Sequence, residues 1–430
     1  MKPLIITPSP NLHGQIHVPG DKSISHRSLL LGALAQGDSH IQGFLPGGDC
    51  LATLNCLQEL GVKIDLHGAD AVVVHGKGTH GLSGSQTPLN CIRSGTTLRL
   101  MTGLLAGQMF DSILTGEEQL LHRPMLRVTQ PLCEMGADIQ DSNGKAPLYI
   151  RGMPLVGHEH FLKVASAQVK SALILAGLYA EGKTIIHQPG PARDHTERML
   201  RAMGANIETS GLTVAISRSN TLTPIDLVVP GDISSAAFPI IAGIISPGSK
   251  VTIERIGVNP TRTGLLDILM TMGARIEIEN LPDQGDEPVA NITVYSSQIS
   301  GVNVYGDLVV RMIDEFPVFA VAATQAHGTT VLRDASELRV KETDRIATVV
   351  TELSAMGANI QALPDGFIIE GPTPLLGGAV SSHGDHRLAM ALAIAGLVSK
   401  EETIVDDIEC TFDSFPGFVQ LMKVIGAKYD

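Results

Sequence analysis

Three glycine-bearing stretches gather cations, the first two with hydroxyls beside them: Gly20-Asp21-Lys22-Ser23 with Arg27, Arg93-Ser94-Gly95-Thr96 with Arg99, and Gly384-Asp385-His386-Arg387. Each opens an apolar segment with helical spacing. Lys and Arg oppose the positive end of a helix, so the backbone gives no reason for cations to collect there. An anionic ligand does. Free N–H groups at a helix start, flanked by Ser or Thr and by guanidinium forks, make a phosphate or carboxylate site. Any one of these residues alone reads as a solvated surface cation; their recurrence beside glycines that permit close backbone approach favours the ligand. None fits a Walker loop or a G-x-G-x-x-G fingerprint, which disfavours a nucleotide.

A second set lies farther along the repeating pattern: Arg123 in His122-Arg123-Pro124, Arg193 in Arg193-Asp194-His195-Thr196-Glu197, Arg262 in Pro260-Thr261-Arg262, and the run Arg339-Val340-Lys341-Glu342-Thr343-Asp344-Arg345. On a helix, Lys341 and Arg345 share a face at i,i+4 and Glu342 meets Arg345 at i,i+3. Asp314-Glu315 puts carboxylates where sister segments carry positive charge. Carboxylates among cations suit acid–base chemistry on a polyanionic substrate. His195 and His386 read as hydrogen-bonding residues rather than bases. The cysteines (Cys50, Cys56, Cys91, Cys133, Cys410) form no CxxC, and their odd count argues for reduced, mostly buried thiols. No His/Cys/carboxylate run has ligand spacing, so no metal site is expected.

The elements that must position these residues repeat. Six times a segment with helical apolar spacing meets the same stop: Leu60-Gly61-Val62, Met135-Gly136-Ala137, Met203-Gly204-Ala205, Met272-Gly273-Ala274, Met356-Gly357-Ala358 and Ile425-Gly426-Ala427. Glycine just past a helix supplies the left-handed residue of a C-cap. The segments that follow alternate, as Ala274, Ile276 and Ile278 do against Arg275, Glu277 and Glu279, which predicts half-buried strands. The unit is β-α-β-α-β-β, and its last copy is cut short at Asp430. Val18-Pro19-Gly20-Asp21 recurs as Val229-Pro230-Gly231-Asp232, dividing the six units into two sets of three. The expected domains are 21-228, and 1-20 with 229-430.

A net charge of −13, 3% aromatic residues and no Trp disfavour a nucleic-acid surface. Met1 to Pro10 lacks an apolar stretch of signal-peptide length, and runs such as Leu388 to Val398 fall short of the roughly 20 residues that span a bilayer. The expectation is a cytoplasmic, monomeric protein without nucleic-acid or membrane partners.

Pro19 to Arg27 (PGDKSISHR), Leu338 to Ile346 (LRVKETDRI) and Gly384-Asp385-His386-Arg387 resemble, in order and over essentially the whole chain, the signatures of 5-enolpyruvylshikimate-3-phosphate synthases. The resemblance implies an α/β fold of two inverse α/β barrel domains, each of three βαβαββ repeats, joined by a two-strand hinge and closing over the ligands. It implies transfer of the enolpyruvyl group of phosphoenolpyruvate to the 5-hydroxyl of shikimate 3-phosphate, with no cofactor. Lys22, Ser23, Arg27, Ser166, Ala167, Gln168, Arg193, Asp314 and Lys341 would hold shikimate 3-phosphate. Lys22, Gly95, Arg123, Gln168, Arg345 and Arg387 would hold phosphoenolpyruvate. Asp314 is the implied base at the hydroxyl; Glu342, with Lys22, the implied proton handler at the phosphoenolpyruvate carbon. Gly95 is expected to influence discrimination between phosphoenolpyruvate and the longer inhibitor glyphosate.

The chain departs from the better-known bacterial branch at Asp413, Glu337, Ala167 and Ala192. Gly20 to Ser23, Ser166 to Lys170, Arg193 to Glu197 and Asn259 to Arg262 resemble the second branch, which includes glyphosate-tolerant members. The nearest rival is a UDP-N-acetylglucosamine enolpyruvyl transferase, expected to carry a loop Cys that Asp111 to Pro124 lacks. A non-catalytic anion-binding relative is the other, against which intact Asp314, Glu342 and Lys22 argue.

Overall fold

The computed structural model describes residues 3–430. All six stop glycines adopt left-handed backbone, with φ from 81° at Gly204 to 101° at Gly426. Each stop closes the same bond, from the N–H after the glycine to a carbonyl one turn back: Val62 to Leu57, Ala137 to Leu132, Ala205 to Leu200, Ala274 to Leu269, Ala358 to Leu353 and Ala427 to Met422. This is the bond that satisfies an orphan carbonyl at a helix end while reversing the chain. The chain therefore reverses in the same way after every second helix.

Among the described residues the strands form six four-stranded sheets. In the third repeat, Glu159–Phe161 runs parallel to Lys183–His187, which pairs antiparallel with Thr213–Ser217, and Ile207–Ser210 completes the sheet. The first repeat takes its edge strand, Asp226–Val228, from far along the chain, parallel to Gln36–Gln42. The sixth repeat is not left short. Leu4–Thr7 pairs antiparallel with Thr403–Val405 and with Lys428–Tyr429, filling the place of the missing hairpin strand. Alternating Leu4 and Ile6 are buried, so this strand closes the sheet and its core together.

The chain forms two compact units: residues up to Pro19 with Pro230–Pro282 and Pro288–Asp430, and Gly20–Val229 with Asp283–Glu287. Each has its own hydrophobic core. The first helices of the repeats are buried nearly all round, as in Ile233–Ile245 and His386–Gly396. In the second unit, Gly95–Ala106 and Ala167–Gly177 pack so closely that a Cβ on Gly103 would overlap the Ala172 backbone. The second helices, such as His195–Ala202, bury one face only. Apolar first helices thus line each core, and only their ends present polar groups.

The thiols are free: Cys50, Cys56, Cys91 and Cys410 are buried and Cys133 is exposed.

Candidate functional site

In the unit built on Gly20–Val229, three first helices begin at Lys22, Gly95 and Ala167, and none has an acid in its first turn. Asp21, Ser94 and Ser166 cap them, their side-chain oxygens accepting from the N–H groups of Ile24, Thr97 and Val169. These caps leave other first-turn N–H groups pointing outward, the feature an anion uses. Lys22 Nζ lies 2.9 Å from Asp49 Oδ2. Gln168 joins two helices: its Oε1 accepts from Arg99 Nη1 at 2.5 Å and its Nε2 donates to Thr96 Oγ1 at 2.9 Å. A Cβ on Gly95 would clash with Arg123 Nη1 and would lie 3.1 Å from Arg99 Nη1. Gly95, Arg99, Arg123 and Gln168 are therefore close together.

Arg27 is more structural than its motif suggests. It is buried, with Nε donating to Thr196 Oγ1 at 2.6 Å, Nη1 to the Ser23 carbonyl at 2.9 Å and Nη2 to Ser171 Oγ at 2.8 Å. Of its five N–H donors, two remain for a ligand. Arg193 Nη1 reaches Ser23 Oγ at 3.5 Å. Ser23 and Arg193 are both partly exposed and could face one anion. Lys170 is buried against Glu197 at 2.7 Å and donates to the Ala192 carbonyl at 3.2 Å, which holds Ala192 and Arg193 to the Ala167–Gly177 helix. His195 Nδ1 bonds Glu287 Oε1 at 2.7 Å, in keeping with a hydrogen-bonding role.

His26 sits beneath this surface, fully buried, its Nδ1 2.7 Å from Thr53 Oγ1. Burial lowers its pKa from 6.5 to about 3, and Lys22 and Arg27 add to the effect against Asp49 and Asp21. The unfolded chain then binds a proton that the folded chain refuses between pH 6.5 and 3. Stability present above pH 6.5 is lost as pH falls, by about 1.4 kcal/mol per unit for one such group. Urea midpoints measured from pH 7 to pH 4.5 should fall more steeply for the natural protein than for His26→Asn. Parallel curves would show that His26 does not drive the dependence.

In the other unit, Asp314 is the centre of a charge cluster. Its Oδ1 lies 3.2 Å from Lys341 Nζ and 3.6 Å from Arg345 Nη1; its Oδ2 lies 3.9 Å from Arg387 Nη2. Arg387 Nη1 also donates to the Asp314 carbonyl at 3.2 Å. Arg345 is buried and clamped, Nε to Asp385 Oδ2 at 2.8 Å and Nη2 to Glu342 Oε2 at 2.6 Å. Burial alone would lower the Arg345 pKa, but Asp385, Glu342 and Asp314 outweigh it and hold the pKa above its ordinary value. Burial opposes ionisation of Asp385 too, and Arg345 overcomes that, so Asp385 titrates below its usual range. Arg345 Nη1, facing Asp314, has no hydrogen-bond partner among the described residues. A buried guanidinium nitrogen left open in this way can receive an anionic oxygen.

The run from Arg339 to Arg345 is not one helix. A 3-10 turn ends at Val340, and the helix starts at Arg345, with Asp344 Oδ1 accepting from Ala347 N at 3.0 Å. Lys341, Glu342 and Thr343 lie in the intervening turn. The cap residue ended the i,i+4 reading of Lys341 and Arg345, yet both cations still reach Asp314. Glu315 is buried, its carboxylate hydrogen-bonded to Ser234 Oγ, and Arg262 donates to Asp232 and Ser234. Glu315 and Arg262 thus pin helix starts together, whereas Asp314 is partly exposed.

A family model for EPSP synthase (3-phosphoshikimate 1-carboxyvinyltransferase) matches residues 6–422. The chain belongs to the EPSP synthase family. It is 51% identical to the 3-phosphoshikimate 1-carboxyvinyltransferase of Citrifermentans bemidjiense over 98% of this chain and 99% of that one. Identity to the Bacillus thuringiensis enzyme of that name is 50%, over 98% and 99%. The EPSP synthase structure from Acinetobacter baumannii superposes with a TM-score of 0.90 at 42% identity, over 100% of this chain and 99% of that one. The enolpyruvyl transferase NikO from Streptomyces tendae, 18% identical with a TM-score of 0.83, shares the fold.

Within this EPSP synthase family member, sequence reading missed Asp49 beside Lys22, and Ser171 with Thr196 around Arg27. Each partner lies in a different helix from the residue it holds, so no local spacing announces the pair. Asp385 was legible as part of a motif but not as the clamp on Arg345.

Proposed function

We infer that the chain transfers the enolpyruvyl group of phosphoenolpyruvate to the 5-hydroxyl of shikimate 3-phosphate and releases phosphate. The observation that carries the site assignment is Asp314, a carboxylate ringed by Lys341, Arg345 and Arg387. Both substrates are anions, and the cations offset their charge while the carboxylate stays available for a proton.

The reaction runs by addition and elimination. A proton is delivered to the methylene carbon of phosphoenolpyruvate, and the 5-hydroxyl oxygen bonds to the neighbouring carbon as its own proton passes to Asp314. The resulting tetrahedral ketal loses a proton from the new methyl group and its C–O bond to phosphate breaks. Glu342, with Lys22, handles the proton at the methylene carbon. Lys22, Ser23, Arg27, Ser166, Ala167, Gln168, Arg193, Asp314 and Lys341 hold shikimate 3-phosphate; Lys22, Gly95, Arg123, Gln168, Arg345 and Arg387 hold phosphoenolpyruvate. In an assay of phosphate release, shikimate 3-phosphate should support turnover and UDP-N-acetylglucosamine none. The opposite preference would overturn the acceptor assignment.

Gly95 is the first residue of its helix, and its φ lies outside the left-handed region, so Ala suits the backbone there. The added Cβ would instead push aside the tip of Arg123. Gly95→Ala should therefore keep its thermal midpoint and raise the phosphoenolpyruvate KM about tenfold, as loss of one charge-assisted contact implies. A larger factor for the glyphosate inhibition constant is expected from the longer ligand. Equal KM values for mutant and natural protein would remove Gly95 and Arg123 from the donor set.

We place the chain in the branch that includes glyphosate-tolerant members, on Ser166 to Lys170 and Arg193 to Glu197, with Ala167 and Ala192 in place of serines. We also read it as a cytoplasmic monomer, on the family resemblance; no helix among the described residues is long and apolar enough to cross a membrane.

A further inference from the structure

We propose that Glu134, His158 and His160 form a binding site for a divalent transition metal ion, Zn2+ by the chemistry of the set, separate from every residue assigned to the transferase machinery. His158 and His160 stand two apart at the edge strand Glu159–Phe161, so both imidazoles leave the same face. Their ring centroids are 4.8 Å apart. Glu134 is the last residue of the helix Leu126–Glu134, and its Oε2 lies 3.4 Å from His160 Nδ1. One ligand atom from each of the three falls within 4.8 Å of the others.

The second observation is His160 itself. Only 3% of its surface is exposed, yet neither ring nitrogen has a hydrogen-bond partner among the described residues. Buried polar atoms ordinarily find partners, and an imidazole that has none but faces a second imidazole and a carboxylate is arranged as a ligand is. A plain His160–Glu134 ion pair is the competing account. It would engage Nδ1 alone, at 3.4 Å, and would leave Nε2 and the neighbouring His158 ring without a role. A metal ion takes the lone pair of a neutral imidazole and accounts for all three side chains.

Neighbouring ligand atoms around tetrahedral zinc stand about 3.3 Å apart. Glu134 and His158 are exposed, so their side chains can swing the remaining distance onto the fixed His160. Two imidazoles and one carboxylate favour zinc and its transition-metal neighbours over magnesium or calcium, which take oxygen ligands. The ion would tie the end of a helix in the second repeat to the edge strand of the third. Binding the folded chain alone, it would stabilise that chain by an amount that grows with the logarithm of the free metal concentration above its Kd.

The test uses the full-length enzyme stripped by a chelator, with Zn2+ titrated in competition with a chromogenic zinc indicator. The natural protein and Cys133→Ser, which lacks the exposed thiol, should each hold one equivalent and show a higher thermal midpoint with zinc. His158→Ala and Glu134→Gln, both at exposed positions, should bind at least tenfold more weakly. The double variant should lose both binding and the thermal shift. Turnover of the stripped enzyme should match that of the loaded one. No retained zinc in the natural protein, loss of binding in Cys133→Ser, or equal binding by the double variant would each overturn the proposal.

Discussion

Asp314→Ala should lower kcat by about a hundredfold to ten-thousandfold, the range for losing a positioned acid–base group. The structure adds a direction for KM. Asp314 is the common counter-ion of Lys341, Arg345 and Arg387, so its removal leaves three cations with more positive field for anionic substrates. KM for phosphoenolpyruvate should stay level or fall while kcat drops, a split that a damaged donor site cannot give. Asp314→Asn keeps the shape and should show the same fall in kcat. Normal turnover in either variant would mean that the base lies elsewhere, and a raised KM with kcat kept would reduce Asp314 to a binding residue.

Arg345→Ala should cost about 3–5 kcal/mol of stability, since removing one member of a buried ion pair strands the other. The stranded group is Asp385, which is wholly buried and also caps the His386–Gly396 helix through Arg387 N at 2.9 Å. Arg387→Ala breaks only longer pairs, 3.9 Å to Asp314 and Glu315, and those carboxylates keep Lys341 and Ser234 as partners. It should mainly weaken donor binding, by about 2–5 kcal/mol for a desolvated charge contact. Urea unfolding and donor KM measured on both variants separate the roles. A stability loss below about 1 kcal/mol for Arg345→Ala would contradict the clamp.

The repeat was legible because each stop needs a left-handed residue, and Gly61, Gly136, Gly204, Gly273, Gly357 and Gly426 all supply one. The cations before the first helices were legible because nothing in a helix start explains them. Closure was not. Leu4 pairs with Val405, and Asp226 with His40, and no local pattern encodes a partner so far along the chain. The charged run to Arg345 misled because an i,i+4 charge spacing is independent of whether a cap intervenes, and Asp344 does. Glu134 and His158 were unreadable as a pair for the same reason as Lys22 and Asp49: the fold, rather than the spacing, makes them neighbours.

The proposed addition and elimination at the Asp314 cluster pass through a protonated methylene carbon. Turnover in D2O tests this directly, because delivery of a solvent deuteron makes a methyl group in the ketal and elimination then removes any one of its hydrogens. Proton NMR of the product should show deuterium in the vinyl group, and Glu342→Gln should slow its appearance together with phosphate release. Product formed at the natural rate with both vinyl hydrogens retained from phosphoenolpyruvate would contradict the account.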